Sequence, residues 1–160
     1  MKDDKFNIKE EYSKLKYKLP KFEELDSEFE ITTSFVKDIK ESKFLLKNIR
    51  RRVNDKIIFY CRIIENLIYP NQSNFISMYE LKSFSESEKQ NMAKLYRKLM
   101  QYERESLILD VEPDEKFEVN YINEIWKNWN NYKSELLKIS KKMKSSWNVE
   151  EKEEKDNYFG

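Results

Sequence analysis

Apolar residues recur at steps of three and four along most of this chain. The longest such stripe lies between Thr32 and Tyr69, and nothing in that stretch must break a helix. It comprises Phe35, Ile39, Leu46, Ile49, Val53, Ile57, Tyr60, Ile64 and Leu67. The pattern predicts one long helix over these residues with Thr32-Thr33-Ser34 as its N-cap, and it allows a break near Asn54-Asp55.

Shorter stripes predict further helices on either side. One runs from about Asn7 to Pro20, a second follows Pro20 around Phe22, Leu25 and Phe29, and a third, short one carries Phe75, Ile76 and Tyr79 on its apolar face. Between the long helix and the short one, residues 70–74 have the composition of a loop.

Two longer helices are predicted in the second half of the chain. Ser85 and Glu88 form the capping-box pattern that opens the first of them. The boundary at residues 110–114 separates it from a last helix that ends near Trp147. The sequence therefore predicts an all-α bundle of about four to six helices, two of them long, in one domain over residues 1–147. Residues 148–160 are predicted to be a flexible, charged tail.

Composition favours an interaction module over an enzyme. The 160 residues include no histidine, one cysteine and one glycine, and that glycine is the last residue. Imidazole bases, multi-cysteine metal sites and glycine-rich phosphate loops are therefore absent from the chain. The interpretation is a non-catalytic protein with no cofactor and no metal, in which Cys61 is a small buried hydrophobe.

Charge does not select a partner on its own. With 31 basic and 30 acidic residues the formal net charge is +1. No apolar run is long enough to span a bilayer, and no secretory signal is recognisable. We expect an intracellular protein, cytoplasmic or nucleoid-associated, whose partners are other protein subunits in an oligomer or larger complex.

The densest basic cluster is the main candidate contact site. A ten-residue stretch of the predicted long helix carries five basic residues: Lys47, Arg50, Arg51, Arg52 and Lys56. Guanidinium groups bind phosphates and carboxylates, so the cluster could contact nucleic acid or an acidic partner. It could also be a solvated face, with Arg51 paired to Asp55, because three consecutive arginines spread over about 200° of a helix. Nucleic-acid binding through this cluster is thus the alternative function.

Aromatic residues give a second set of candidates. Trp126 is left over from the apolar stripe of the last helix, so it either packs in the core or lies at a subunit interface. Tyr158 and Phe159 follow the charged run near the end of the chain, a pattern that fits a short docking motif and equally a chain end without a binding role.

Residues 44–57, with the sequence FLLKNIRRRVNDKI, resemble a long central helix of the GINS family of replication factors. The serine-capped segment Phe84-Ser85-Glu86-Ser87-Glu88, followed by Leu95, Tyr96 and Leu99, is similar to the family in order and spacing. The resemblance covers about a third of the chain. It implies a non-enzymatic scaffold subunit of the replisome that assembles as a tetramer. Many family members add a small β domain, for whose turns this chain has no internal glycine.

Overall fold

The fold is all-α, as predicted. A computed structural model describes residues 7–34, 44–71 and 73–148, and these contain seven helices and no strand. The helices are α1 (Ile8–Ser13), α2 (Phe22–Phe29), α3 (Ile31–Ser34), α4 (Leu45–Ile68), α5 (Phe75–Leu81), α6 (Glu86–Val111) and α7 (Glu115–Ser146). The predicted tail, apart from Asn148, lies outside the described residues.

Helices α4, α6 and α7 form the centre of the bundle. Helix α4 packs against both of the others, and α1 and α2 lie on α4. The predicted stripe of α4 is buried from Leu46 to Leu67, with Tyr60 half-buried. Tyr60 stacks on Trp129 of α7 with ring centroids 5.2 Å apart. One continuous apolar core therefore joins these helices.

The boundaries of α6 and α7 follow their caps. The Ser85 hydroxyl accepts a hydrogen bond from the Glu88 amide, and the Glu88 carboxylate accepts one from the Ser85 amide, which completes the predicted capping box. Asp114 caps α7 by accepting from the amides of Lys116 and Phe117. These local bonds fix where the two longest helices start.

Two predictions about the first half of the chain are wrong in detail, and the break that the pattern allows is absent; Phe35 and Ile39 of the predicted stripe lie outside the described residues. Helix α1 ends at Ser13 rather than at Pro20, and the Tyr12 hydroxyl then donates to the Pro20 carbonyl across the following loop. Thr32 does not cap the long helix, because it lies within α3 and its amide and hydroxyl donate to Asp26. No break occurs at Asn54, whose side chain instead accepts a hydrogen bond from Tyr121.

The turn between α2 and α3 is made without glycine. Glu30 ends α2 in the left-handed conformation, with φ at 53°, and its amide donates to the Asp26 carbonyl at 2.8 Å. Glycine usually takes this position because it has no Cβ to clash with the backbone. The Asp26 side chain also stabilises the turn, because its carboxylate accepts a hydrogen bond from the Thr32 amide.

Contacts from the first third of the chain cover α7. The Tyr17 hydroxyl donates to Glu115 at 2.9 Å, and Asn123 donates to the Lys18 carbonyl at 2.8 Å. Further along α7, Trp129 Nε1 donates to Glu28 at 2.8 Å. Residues near the start of the described chain are thereby held to its last helix.

Candidate interaction surfaces

Arg50 lies inside the bundle. Its side chain is fully buried, and its guanidinium reaches from α4 to both α6 and α7. Nε donates to Glu118 at 2.7 Å, Nη1 donates to the Ser106 carbonyl at 2.9 Å, and Nη2 donates to Asp110 at 2.6 Å. We call Arg50, Ser106, Asp110 and Glu118 the Arg50 clamp. Arg50 is therefore unavailable to a phosphate or an outside partner in this fold.

Within the clamp, Arg50 and Asp110 keep their charges. Burial acts to lower the pKa of Arg50, but the hydrogen bonds to Asp110 and Glu118 outweigh it and raise the pKa above its ordinary value. Burial likewise acts to raise the pKa of Asp110, and the two arginines beside it lower that pKa overall. The clamp is thus an ion-pair network that holds three helices together.

The neighbouring arginines have different partners. Arg51 is exposed, and its Nε donates to Asp110 at 3.0 Å. Arg52 pairs with Asp55 at 2.9 Å, so the predicted pair between Arg51 and Asp55 is wrong. The reason is the position of Arg51 around the axis of α4. It lies on the side that faces α6, where its guanidinium reaches Asp110.

The remaining basic candidates are dispersed. Lys47 is half-buried and lines a hollow with Leu15 and Glu115. Lys56 is also half-buried, and its charge acts on Glu28. The five basic residues predicted to share a contact site are therefore divided between the interior and separate parts of the surface.

Trp126 packs within the chain. It is half-buried against the core, and its ring meets the Phe29 ring edge-on with centroids 6.4 Å apart. The other two aromatic candidates, Tyr158 and Phe159, lie outside the described residues.

Helix α5 carries a cluster of exposed apolar side chains. Phe75 is 78% exposed and Ile76 60% exposed, and Met78 and Tyr79 are exposed beside them. Trp147, which follows α7, lies against this helix with its ring 4.7 Å from the Tyr79 ring. We call Phe75, Ile76, Met78, Tyr79 and Trp147 the α5 surface. The predicted short helix with Phe75, Ile76 and Tyr79 is thus confirmed, and these three side chains face outward.

Polar groups, together with Leu81 against the core, hold α5 on the bundle. Ser77 and Glu80 are its buried residues. Glu80 accepts a hydrogen bond from Trp147 Nε1 at 2.8 Å, and the Tyr79 hydroxyl donates to the Ser146 carbonyl at 3.1 Å. Asn74 caps the helix by accepting from the Ser77 amide. The helix is thus oriented by hydrogen bonds to the end of α7, with its apolar side chains facing outward.

Sequence reasoning missed this surface because both faces of α5 repeat with the helical period. In seven residues the spacing of Ser77 and Glu80 is as helical as that of Phe75 and Tyr79. The one signal for the orientation of α5 in the sequence is the polar pair Ser77 and Glu80, three residues apart, on the face opposite the apolar side chains.

The described part of the chain holds no group of three or more residues able to bind a metal ion. None of its helices combines the length and apolar character needed to cross a membrane. Burial, with Glu103 and Glu65 nearby, raises the pKa of Cys61 to about 11, so its thiol stays protonated.

Comparison with known proteins gives no relative. No family model, curated protein or solved structure matches the chain.

Proposed function

We propose that this chain is a non-catalytic helical subunit of a protein assembly, and that the α5 surface is where another subunit binds. The single observation that carries the proposal is the outward orientation of Phe75, Ile76 and Met78 on a helix fixed by polar contacts. Large contiguous apolar patches on protein surfaces mark interaction sites, whereas scattered single residues do not.

The energetics favour a partner over solvent. Burying apolar surface gains about 25 cal/mol per Å². In the isolated chain Phe75 and Ile76 do not obtain most of this free energy of burial, since both side chains are more than half exposed. Aromatic residues and methionine are also the types enriched in interface cores. A partner that covers this surface recovers the burial that folding leaves unused.

The resemblance to the GINS family makes the proposal more specific. On that basis we infer a replication factor that bridges other proteins inside the cell, in the cytoplasm or at the nucleoid. The alternative, nucleic-acid binding through the basic cluster, has less support, because Arg50 is buried and Arg51 and Arg52 are paired with carboxylates.

The test compares a tagged full chain with two variants. The double variant Phe75→Ser/Ile76→Ser removes the centre of the α5 surface, and Leu137→Ser, an exposed residue of α7, is the matched control. We expect the native chain and the control to run as an oligomer or complex in light scattering, and the double variant to dissociate with its helical content unchanged.

Two results would contradict parts of this proposal. A native chain that is monomeric and co-purifies with no protein would overturn the assembly role. Cross-linking and mass spectrometry identify the partner, and a replicative helicase among the products would support the GINS-like role. Binding to nucleic acid that weakens steeply with salt and is lost in Arg51→Ala/Arg52→Ala would favour the alternative.

A further inference from the structure

An apolar groove lies at the start of α7, where the chain passes from α6 into α7. This is the end of α7 opposite the α5 surface. It has a volume of about 400 Å³ and is lined by Ile108, Pro113 and Phe117 among its apolar residues. Ile108 is 63% exposed and Phe117 57% exposed, so their side chains present free apolar surface. We call this the α6–α7 groove.

Carboxylates surround the groove. Glu105, Glu112 and Asp114 line it, and no lysine or arginine does. Among the described residues none of the three forms an ion pair, although Asp114 accepts the two amide hydrogen bonds that cap α7. This end of the bundle therefore combines apolar surface with carboxylates that form no ion pair within the described chain.

Glu105 also lies near charges outside the groove. Burial raises its pKa, Lys98 acts to lower it, and Glu124 adds a smaller rise. The residues that line the groove nevertheless offer exposed apolar side chains and carboxylates, with no cation among them.

We infer that the α6–α7 groove binds a basic amphipathic helical segment of another protein. Apolar side chains of that segment cover Ile108 and Phe117, and its lysine or arginine side chains meet Glu105 and Glu112. Charge complementarity of this kind sets the choice of partner and the rate of association. Helices laid into apolar grooves are a common form of peptide recognition.

This site is distinct from the α5 surface. Phe117 and Trp147 are 30 residues apart along one helix axis, which corresponds to about 45 Å at 1.5 Å per residue. The two surfaces can therefore be occupied together, and loss of one leaves the other intact. The inference extends the proposed assembly role but does not depend on the α5 surface.

The test uses two synthetic peptides and the full chain. Both peptides are amphipathic helices with leucine at positions i, i+3, i+4 and i+7; one carries arginine on its flanks and the other carries glutamate. Fluorescence anisotropy of labelled peptide measures binding. We expect saturable binding of the arginine peptide that weakens as salt is raised, and no saturation with the glutamate peptide.

Variants of the chain locate the binding. Phe117→Ser should abolish saturable binding of the arginine peptide. Glu105→Gln/Glu112→Gln should lower the affinity for this peptide by roughly threefold or more, because two exposed charge pairs are lost. Phe59→Ser and Glu86→Gln, which change exposed residues elsewhere, should leave the affinity unchanged.

Three results would overturn the inference: equal binding of the two peptides, binding that survives Phe117→Ser, or self-association of the chain that Phe117→Ser abolishes without any peptide. The last would show that a second copy occupies the groove. Melting curves of each variant, expected to match the native chain, separate loss of binding from loss of fold.

Discussion

Replacing Arg50 with methionine should destabilise the protein more than any other change in the basic cluster. The substitution keeps an unbranched side chain of similar length but removes the guanidinium. Glu118, which is 3% exposed, is then left with a buried carboxylate and no cation, and the Ser106 carbonyl loses a donor. Asp110 keeps Arg51 as a partner.

The expected loss follows from which charges remain. Removing one partner of a buried ion pair costs about 3–5 kcal/mol, because the other charge stays desolvated and unpaired. Domains of this size have about 5–15 kcal/mol of total stability. Urea denaturation followed by circular dichroism should therefore show a large fall in the midpoint with an unchanged slope.

Two further variants identify the cause of that loss. Arg51→Met removes a guanidinium that is half exposed and shares Asp110, so it should cost less than about 1 kcal/mol. The double variant Arg50→Met/Glu118→Leu removes both buried charges and should recover much of the stability lost in Arg50→Met. Equal midpoints for Arg50→Met and Arg51→Met would refute the reasoning.

Three other predictions concern α4, α6 and its cap. The hydrogen bond from Lys142 and the capping bond lower the pKa of Glu88 to about 2. The contribution of Glu88 to stability is therefore complete above about pH 4.5 and is lost as the pH falls toward 2. Glu88→Gln should flatten this part of an acid titration followed by circular dichroism. Ser85→Ala should lower the free energy of unfolding by about 1 kcal/mol, whereas Ser87→Ala, on the exposed side of the same turn, should change it little. The Cys61 thiol should react with a thiol reagent at mildly alkaline pH only after denaturant is added, and equal rates with and without denaturant would show that it is accessible.

The long helices could be predicted because their signals are local. Apolar residues repeat over more than twenty positions in α4, α6 and α7, and Ser85 and Asp114 mark where two of them start. The end of α1 could not be predicted in the same way, since the bond from Tyr12 to Pro20 depends on the path of the loop between them.

The candidate surfaces were harder to predict because they depend on contacts between distant parts of the chain. Nothing in a run of three arginines shows that Arg50 alone meets Glu118, which is 68 residues away. Similarly, the orientation of α5 depends on Ser146 and Trp147, each 67 residues from the residue that it bonds. Periodicity identifies a helix but not the neighbour that it will face.

The contacts between the first third of the chain and α7 have a consequence for how the protein folds during synthesis. Glu28 and Trp129 are 101 residues apart, and Tyr17 and Glu115 are 98 apart. At about 5–20 residues per second, a ribosome needs roughly 5–20 s to make that interval. Throughout that time Phe29 lacks the rings of Trp126 and Trp129 that it packs against in the finished fold, where it is buried. The early helices of the nascent chain therefore present apolar side chains that chaperones can bind until the last helix emerges.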